Sequence, residues 1–251
     1  MAVPTTDPLA PLLELAGVAE AFAEARAAVD RALGHRALRR QGGPLAAEAA
    51  LVAAQASAAL EGSDFELEEI RGGTVTDPVV QGALRVTEAV PRLADQWPRA
   101  PLQVLAKLHV FAARGLAAEP ELGRPTGAAA PDLSARLDAL AKLVAGATSA
   151  PALLVAAIVH AELLAVRPFA TANGVVARAA ARLTLVERGL DPRALIVPEV
   201  GHLARQPEYV GAAGAYATGT PDGLRSWLRH YATAVSLGAE QTVTIAGRLT
   251  G

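Results

Sequence analysis

Val166-Arg167-Pro168-Phe169-Ala170-Thr171-Ala172-Asn173-Gly174-Val175-Val176-Ala177-Arg178 joins two apolar stretches and decides how the rest of the chain is read. Pro168 cannot continue a helix arriving at Val166, because its ring removes an N–H and crowds the preceding turn. Ala172-Asn173-Gly174 then supplies small, turn-prone residues where the chain has to fold back. A second helix starts near Gly174, so the segment reads helix, tight loop, helix. The first turn of that second helix leaves backbone N–H groups without intrahelical acceptors, and the helix dipole adds positive potential there. Such a site suits a phosphate. Arg178, one turn past Gly174, lies on the same side of the helix and brings a guanidinium within reach of a terminal phosphate.

Outward from this loop, apolar residues recur at helical spacing over 10–33, 44–60, 79–93, 101–116, 131–144, 151–166 and 174–188. Asp7-Pro8 and Asp77-Pro78 mark helix starts, since proline at the first helical position lacks only an N–H that would be orphaned anyway. Ser63 with Glu66 predicts a capping box opening a short helix that reaches Arg71 and ends at Gly72-Gly73. Turns at 189–192, at 219–223 and at Gly238 divide the tail, predicting final helices over 227–237 and 239–249. Strand signals are confined to Val75-Thr76 and to 195–197, too brief to count. The fold class is therefore all-α: a helical bundle carrying one helix-loop-helix motif. We divide it into an N-terminal helical region, 1–95, and a core with C-terminal helices, 96–251.

Composition narrows the function classes. The 251 residues are 52% hydrophobic and 4% aromatic, so the core is built from Ala, Leu and Val, which let helices approach closely. A formal net charge of -2 gives no basic footprint for a nucleic-acid backbone or a membrane surface. With no cysteine, disulfides, thiolate metal sites and a cysteine nucleophile are excluded. Met1 to Pro8 lacks a basic segment followed by an apolar run, and 151–166 is interrupted by His160 and Glu162, so the expected setting is cytoplasmic. His109, His202 and His230 lack metal-ligand spacing, and His160 reads as packing. Neither a nucleophile elbow nor a GxxxxGK(S/T) loop is present.

The central segment resembles the Fic (Fido) signature HPFx(D/E)GNGRxxR, whose enzymes transfer AMP from ATP onto protein hydroxyls. Pro168, Phe169, Asn173, Gly174 and Arg178 match it, and Ala172 takes the first glycine's place. The resemblance implies a Fic-like bundle in which Ala172, Asn173, Gly174 and Arg178 cradle the phosphates of a nucleotide, ATP. Three positions depart from it. Arg167 stands where the family has its base, and a guanidinium does not deprotonate in proteins. Thr171 stands where an acidic residue holds magnesium, and its neutral hydroxyl adds no charge to bind the ion. Val175 replaces the first of two arginines, removing a cation from the transferring phosphate.

Upstream, Ser57-Ala58-Ala59-Leu60-Glu61-Gly62 fits the family's inhibitory pattern (S/T)xxxE(G/N), with Ser57 and Glu61 on one helix face. The resemblance implies that Glu61 pairs with Arg178 and keeps ATP from binding productively; read without it, the pair is a structural tie between two helices. Arg167 likewise has two readings, a solvated replacement or a cation for an anion. Leu105 to His109, Gly115 and Gly123-Arg124 resemble the helix and start of the family's target-docking flap. Pro125 to Pro131, rich in Gly, Ala and Pro, predicts a truncated flap. The implied function is that of a protein adenylyltransferase relative that is inactive or strongly impaired and keeps nucleotide binding. The alternatives are a transferase using non-standard residues, and a non-enzymatic scaffold that binds a protein partner or a second copy of itself.

Overall fold

The computed structural model describes residues 7–126 and 132–249. Its helices are α1 (Ala10–Leu13), α2 (Val18–Leu33), α3 (Leu38–Ala59), α4 (Leu67–Arg71), α5 (Pro78–Leu93), α6 (Pro101–Ala113), α7 (Leu133–Ala145), α8 (Ala152–Val166), α9 (Asn173–Glu187), α10 (Pro198–Ala204), α11 (Gln206–Tyr216) and α12 (Pro221–Arg248). No strand occurs among the described residues; Arg114 and Ala117 form one isolated bridge. The all-α expectation holds. Among the described residues no helix is long and apolar enough to cross a membrane.

Helices α8 and α9, on either side of the decisive loop, form the central pair, and both bury residues around most of their circumference. An apolar helix needs cover on every side. One cluster covers the pair with α5, α6 and α7 through Val90, Trp97, Leu108, Leu163 and Leu183. The opposite cluster, with α2, α11 and α12, contains Val29, Leu154, Leu185, Trp227 and Tyr231. The two tryptophans spend their N–H groups inside the protein: Trp97 donates to Thr184 Oγ1 at 3.0 Å and Trp227 to the Ala157 carbonyl at 2.8 Å. α3 lies against α5 and α9, which brings its C-terminal end over the decisive loop.

Asp77 caps α5 as its sequence predicts, accepting from the Val79 and Val80 N–H groups at 2.9 and 3.0 Å. Other boundaries moved for identifiable reasons. The 10–33 stretch breaks at Gly17, whose φ of 74° is left-handed, so α1 and α2 are separate. α3 reaches back to Leu38, with a kink at Gln41 that leaves Pro44 in the first turn of the restarted helix. The capping box belongs to Glu66 and Glu69, three residues beyond Ser63: the Glu69 carboxylate accepts from the Glu66 N–H at 3.0 Å. Asp7 binds the Leu9 N–H at 3.0 Å but also holds the Ser149 N–H at 2.7 Å, and α1 starts only at Ala10.

Gly238 is the largest correction. The two final helices expected on either side of it are one continuous α12, and Gly238 lies inside it, where α12 crosses the segment leading into α10. A Cβ at this position would stand 2.6 Å from the Val197 carbonyl carbon and oxygen. The glycine is a contact point, not a turn. Most of the expected flap, 127–131, lies outside the described residues, and the preceding Pro125 and Thr126 are not in a strand.

Candidate functional site

Two left-handed residues shape the loop. Arg167 closes α8 with φ 44° and ψ 64°, and Ala172 opens α9 with φ 56° and ψ 19°. Between them the Asn173 side chain ties the loop to itself, Oδ1 accepting from the Phe169 N–H at 3.0 Å and Nδ2 donating to the Phe169 carbonyl at 2.7 Å. These bonds spend Oδ1 and one of the two Nδ2 protons on the loop itself. Ala172 occupies the position where a glycine is free of steric cost. Ala172→Gly is expected to stabilise the fold by about 1 kcal/mol, raising the melting temperature by about 3 °C. An unchanged or lower value in a thermal melt would show that the loop carries no such strain.

Behind the loop, Arg178 is almost fully buried and reaches back to the end of α3. Its Nε donates to Ser57 Oγ at 3.0 Å, and Nη2 donates to the Ser57 carbonyl at 2.9 Å and to Glu61 Oε1 at 2.7 Å. Its Nη1 points at the Tyr209 hydroxyl 3.4 Å away. Glu61 follows the C-terminal end of α3, with Gly62 at φ 93° turning the chain away behind it. Its carboxylate lies over Gly174: a Cβ added there would meet Glu61 Oε1 at 2.0 Å and Arg178 Nη1 at 3.0 Å. The carboxylate thus fills the space above the first turn of α9, where an anion would find the dipole and the arginine together. Ser57 and Glu61, more than a hundred residues from Gly174 and Arg178 in sequence, form one contact group with them.

Sequence reasoning missed the residues beneath Arg178. The Tyr209 hydroxyl lies 2.9 Å from His160 Nε2, and the His202 ring packs on Tyr209 with centroids 4.5 Å apart. His202 Nδ1 meets His230 Nε2 at 3.0 Å, one ring donating to the other. His202 and His230 come from α10 and α12, so no local spacing could reveal the cluster. Burial holds all three histidines below their usual range, helped by Arg178 at His160, by the neighbouring histidines at His202 and by Arg205 at His230, whose value falls to about 4. Burial pushes the Tyr209 hydroxyl up, partly offset by Arg178. A further buried pair, Arg182 and Glu199, lies behind this cluster at 3.7 Å, with Arg182 Nη2 donating to the Ala194 carbonyl at 2.8 Å.

These depressed values set a pH dependence. Unfolded histidine takes a proton near pH 6.5, whereas folded His230 stays neutral to about 4, so its contribution to stability is complete above 6.5 and is lost as pH falls through that window. Asp191 and Glu199, raised by burial, titrate with the opposite sign and offset part of the fall. His230→Gln is expected to remove about one proton of uptake, or about 1.4 kcal/mol per pH unit, between pH 6 and 4.5. Denaturation midpoints that keep the wild-type slope in this variant would contradict the assignment.

The three divergent motif positions lie differently. Arg167 is exposed and has no ion pair among the described residues. The Thr171 hydroxyl is buried without a partner. Val175 is packed in the apolar cluster against α5 and α6, 4% exposed, so an arginine would not fit there unchanged. Pro168 and Phe169 hold the loop to the flap segment. The Pro168 carbonyl accepts from the Thr126 N–H at 2.9 Å, and the Phe169 ring stacks on His109 with centroids 4.0 Å apart. His109 is fully buried, and its Nδ1 accepts from the Gly123 N–H at 2.9 Å, which spends the lone pair a base would need. No group of three His, Asp or Glu side chains that could hold a metal ion occurs among the described residues.

The sequence matches no family model and no curated protein sequence. Solved structures match the fold closely. A Fic family protein from Desulfovibrio desulfuricans G20 superposes with a TM-score of 0.73 at 20% identity, covering 91% of this chain and 74% of that one. Fic-1 from C. elegans superposes with a TM-score of 0.67 at 17% identity, covering 96% of this chain and 76% of its own. The fold of this chain is the Fic fold.

Proposed function

We propose that this chain is a self-blocked Fic-fold protein that retains a nucleotide-phosphate site but does not transfer AMP. The observation that carries this reading is the Glu61 carboxylate lying over Gly174 with Arg178 bonded to it at 2.7 Å. The groups that would hold a phosphate, the first-turn amides of α9 and the Arg178 guanidinium, face the same space and are occupied from within. An anion has to displace Glu61, so its apparent affinity falls by the fraction of molecules in which Glu61 has swung away. Glu61, 28% exposed, can move into water; Arg178 stays fixed by Ser57 and Tyr209.

The residues present fit phosphate better than they fit magnesium. Thr171 offers a neutral hydroxyl where a carboxylate would anchor the ion, and magnesium at nucleotide sites is held through one or two carboxylates together with phosphate oxygens. ATP, if held, would rest its phosphates on Gly174 and Arg178, and would supply an activated phosphoryl linkage for attack. Among the described residues, no side chain is placed to take the attacking hydroxyl's proton. Arg167 keeps its own, His109 has spent its lone pair on Gly123, and His160 is buried against Tyr209.

Incubation of wild type and Glu61→Gly with labelled ATP, magnesium and a cell lysate tests the reading. No labelled protein is expected with either form. Labelled bands produced by Glu61→Gly and lost when Arg178→Ala is added would overturn the inactivity while keeping the site.

A further inference from the structure

Arg178 is gripped unevenly. Ser57 takes Nε and Nη2 along one edge of the guanidinium, and Glu61 shares Nη2. The other branch, Nη1, faces the start of α9, where a Cβ on Gly174 would stand 3.0 Å from it. Its one acceptor among the described residues is the Tyr209 hydroxyl, 3.4 Å away. A guanidinium only donates, so that oxygen has to present a lone pair and turn its own proton elsewhere. His160 Nε2, 2.9 Å from the hydroxyl, is the acceptor in reach. The ring therefore carries its proton on Nδ1; with the proton on Nε2, the hydroxyl proton would be left without an acceptor. Nδ1 itself is buried without a partner, so nothing on that side of the ring selects the tautomer. Edge-on contacts with His202 and Trp227, at centroid distances of 5.0 and 5.1 Å, hold the ring in place.

We infer that Tyr209 and His160 are positioning residues of the site over Gly174, given the reading of that site as one for nucleotide phosphate. Neutral His160 orients the Tyr209 hydroxyl, and the hydroxyl holds Arg178 Nη1 toward the phosphate. A planar fork binds phosphate oxygens two at a time only when both branches point at them. Support on two sides matters most once Glu61 has left, because Ser57 alone leaves the Nη1 branch free to tilt. Both Tyr209 and His160 are buried beneath the guanidinium, so their effect on a phosphate passes through Arg178.

Titration calorimetry with ATP, without magnesium, in the Glu61→Gly background tests the relay. Tyr209→Phe and His160→Leu are each expected to weaken binding about tenfold, the loss of one oriented hydrogen bond to a charged group. His160→Gln, whose amide oxygen can accept where Nε2 does, should recover most of that loss. A role in packing alone would lower the melting temperature of these variants and leave the affinity of the folded protein unchanged, or would make His160→Gln as weak as His160→Leu; either result overturns the relay. No binding by Glu61→Gly itself overturns the phosphate site and the relay with it, whereas binding that Tyr209→Phe leaves intact overturns the relay alone. In the wild-type protein, nitrogen NMR of the His160 ring should show the proton on Nδ1. A proton on Nε2 contradicts the donor order whether or not ATP binds.

Discussion

Arg178→Ala is expected to lower stability by about 4 kcal/mol and the melting temperature by about 10 °C, while Glu61→Gln costs only about 1 kcal/mol. The asymmetry follows from what each removal leaves behind. Without the guanidinium, the Ser57 carbonyl and hydroxyl and the Glu61 carboxylate lose their partner, the Tyr209 hydroxyl keeps only His160, and a cavity opens between α3 and α9. Without the Glu61 charge, Arg178 still donates to Ser57 twice and faces Tyr209, and water reaches the vacated side. A plain structural ion pair would show more nearly equal losses. Melts of the two variants under one condition distinguish the cases; equal destabilisation would mean that Glu61 is structural and not a movable block.

Gly238→Ala is expected to be nearly as damaging, at about 3 kcal/mol. Alanine favours a helix over glycine by about 1 kcal/mol, so propensity alone predicts a gain. Sterics oppose it: the new methyl would stand 2.6 Å from the Val197 carbonyl, a backbone contact that cannot rotate away. Gly201 makes the reciprocal approach, its missing Cβ 2.3 Å from the Ala234 carbonyl oxygen, so α10 and α12 are held together through two glycines. Gly247, where an added Cβ would meet nothing within 4 Å, lies near the end of the same helix and is the control, and Gly247→Ala should be neutral or slightly stabilising. A stabilised Gly238→Ala in urea titrations would mean that the crossing relaxes at little cost.

Gly238 also shows where sequence reading stops. A glycine inside an apolar periodic stretch is equally a turn signal and a contact signal, and only the position of Val197 decides between them. Gly17, read through as helix interior, is a break, because its left-handed φ is set by the tertiary path between α1 and α2. The helices around the motif were legible because proline and strong periodicity bound them, and α8 and α9 fall within a residue of the expected limits at each end. Asp77-Pro78 was legible because its cap is local chemistry. The pairing of Glu61 with Arg178 was legible only through the resemblance, since no spacing rule links positions 61 and 178. His160, His202, Tyr209 and His230 were not legible at all, because four different helices bring them together.

Binding of ATP to wild type and to Glu61→Gly, measured by titration calorimetry without magnesium, tests the central claim most directly. The account predicts no heat of binding for wild type and saturable binding for Glu61→Gly that disappears when Arg178→Ala is added. Equal binding by wild type and Glu61→Gly, or none by either, would contradict it.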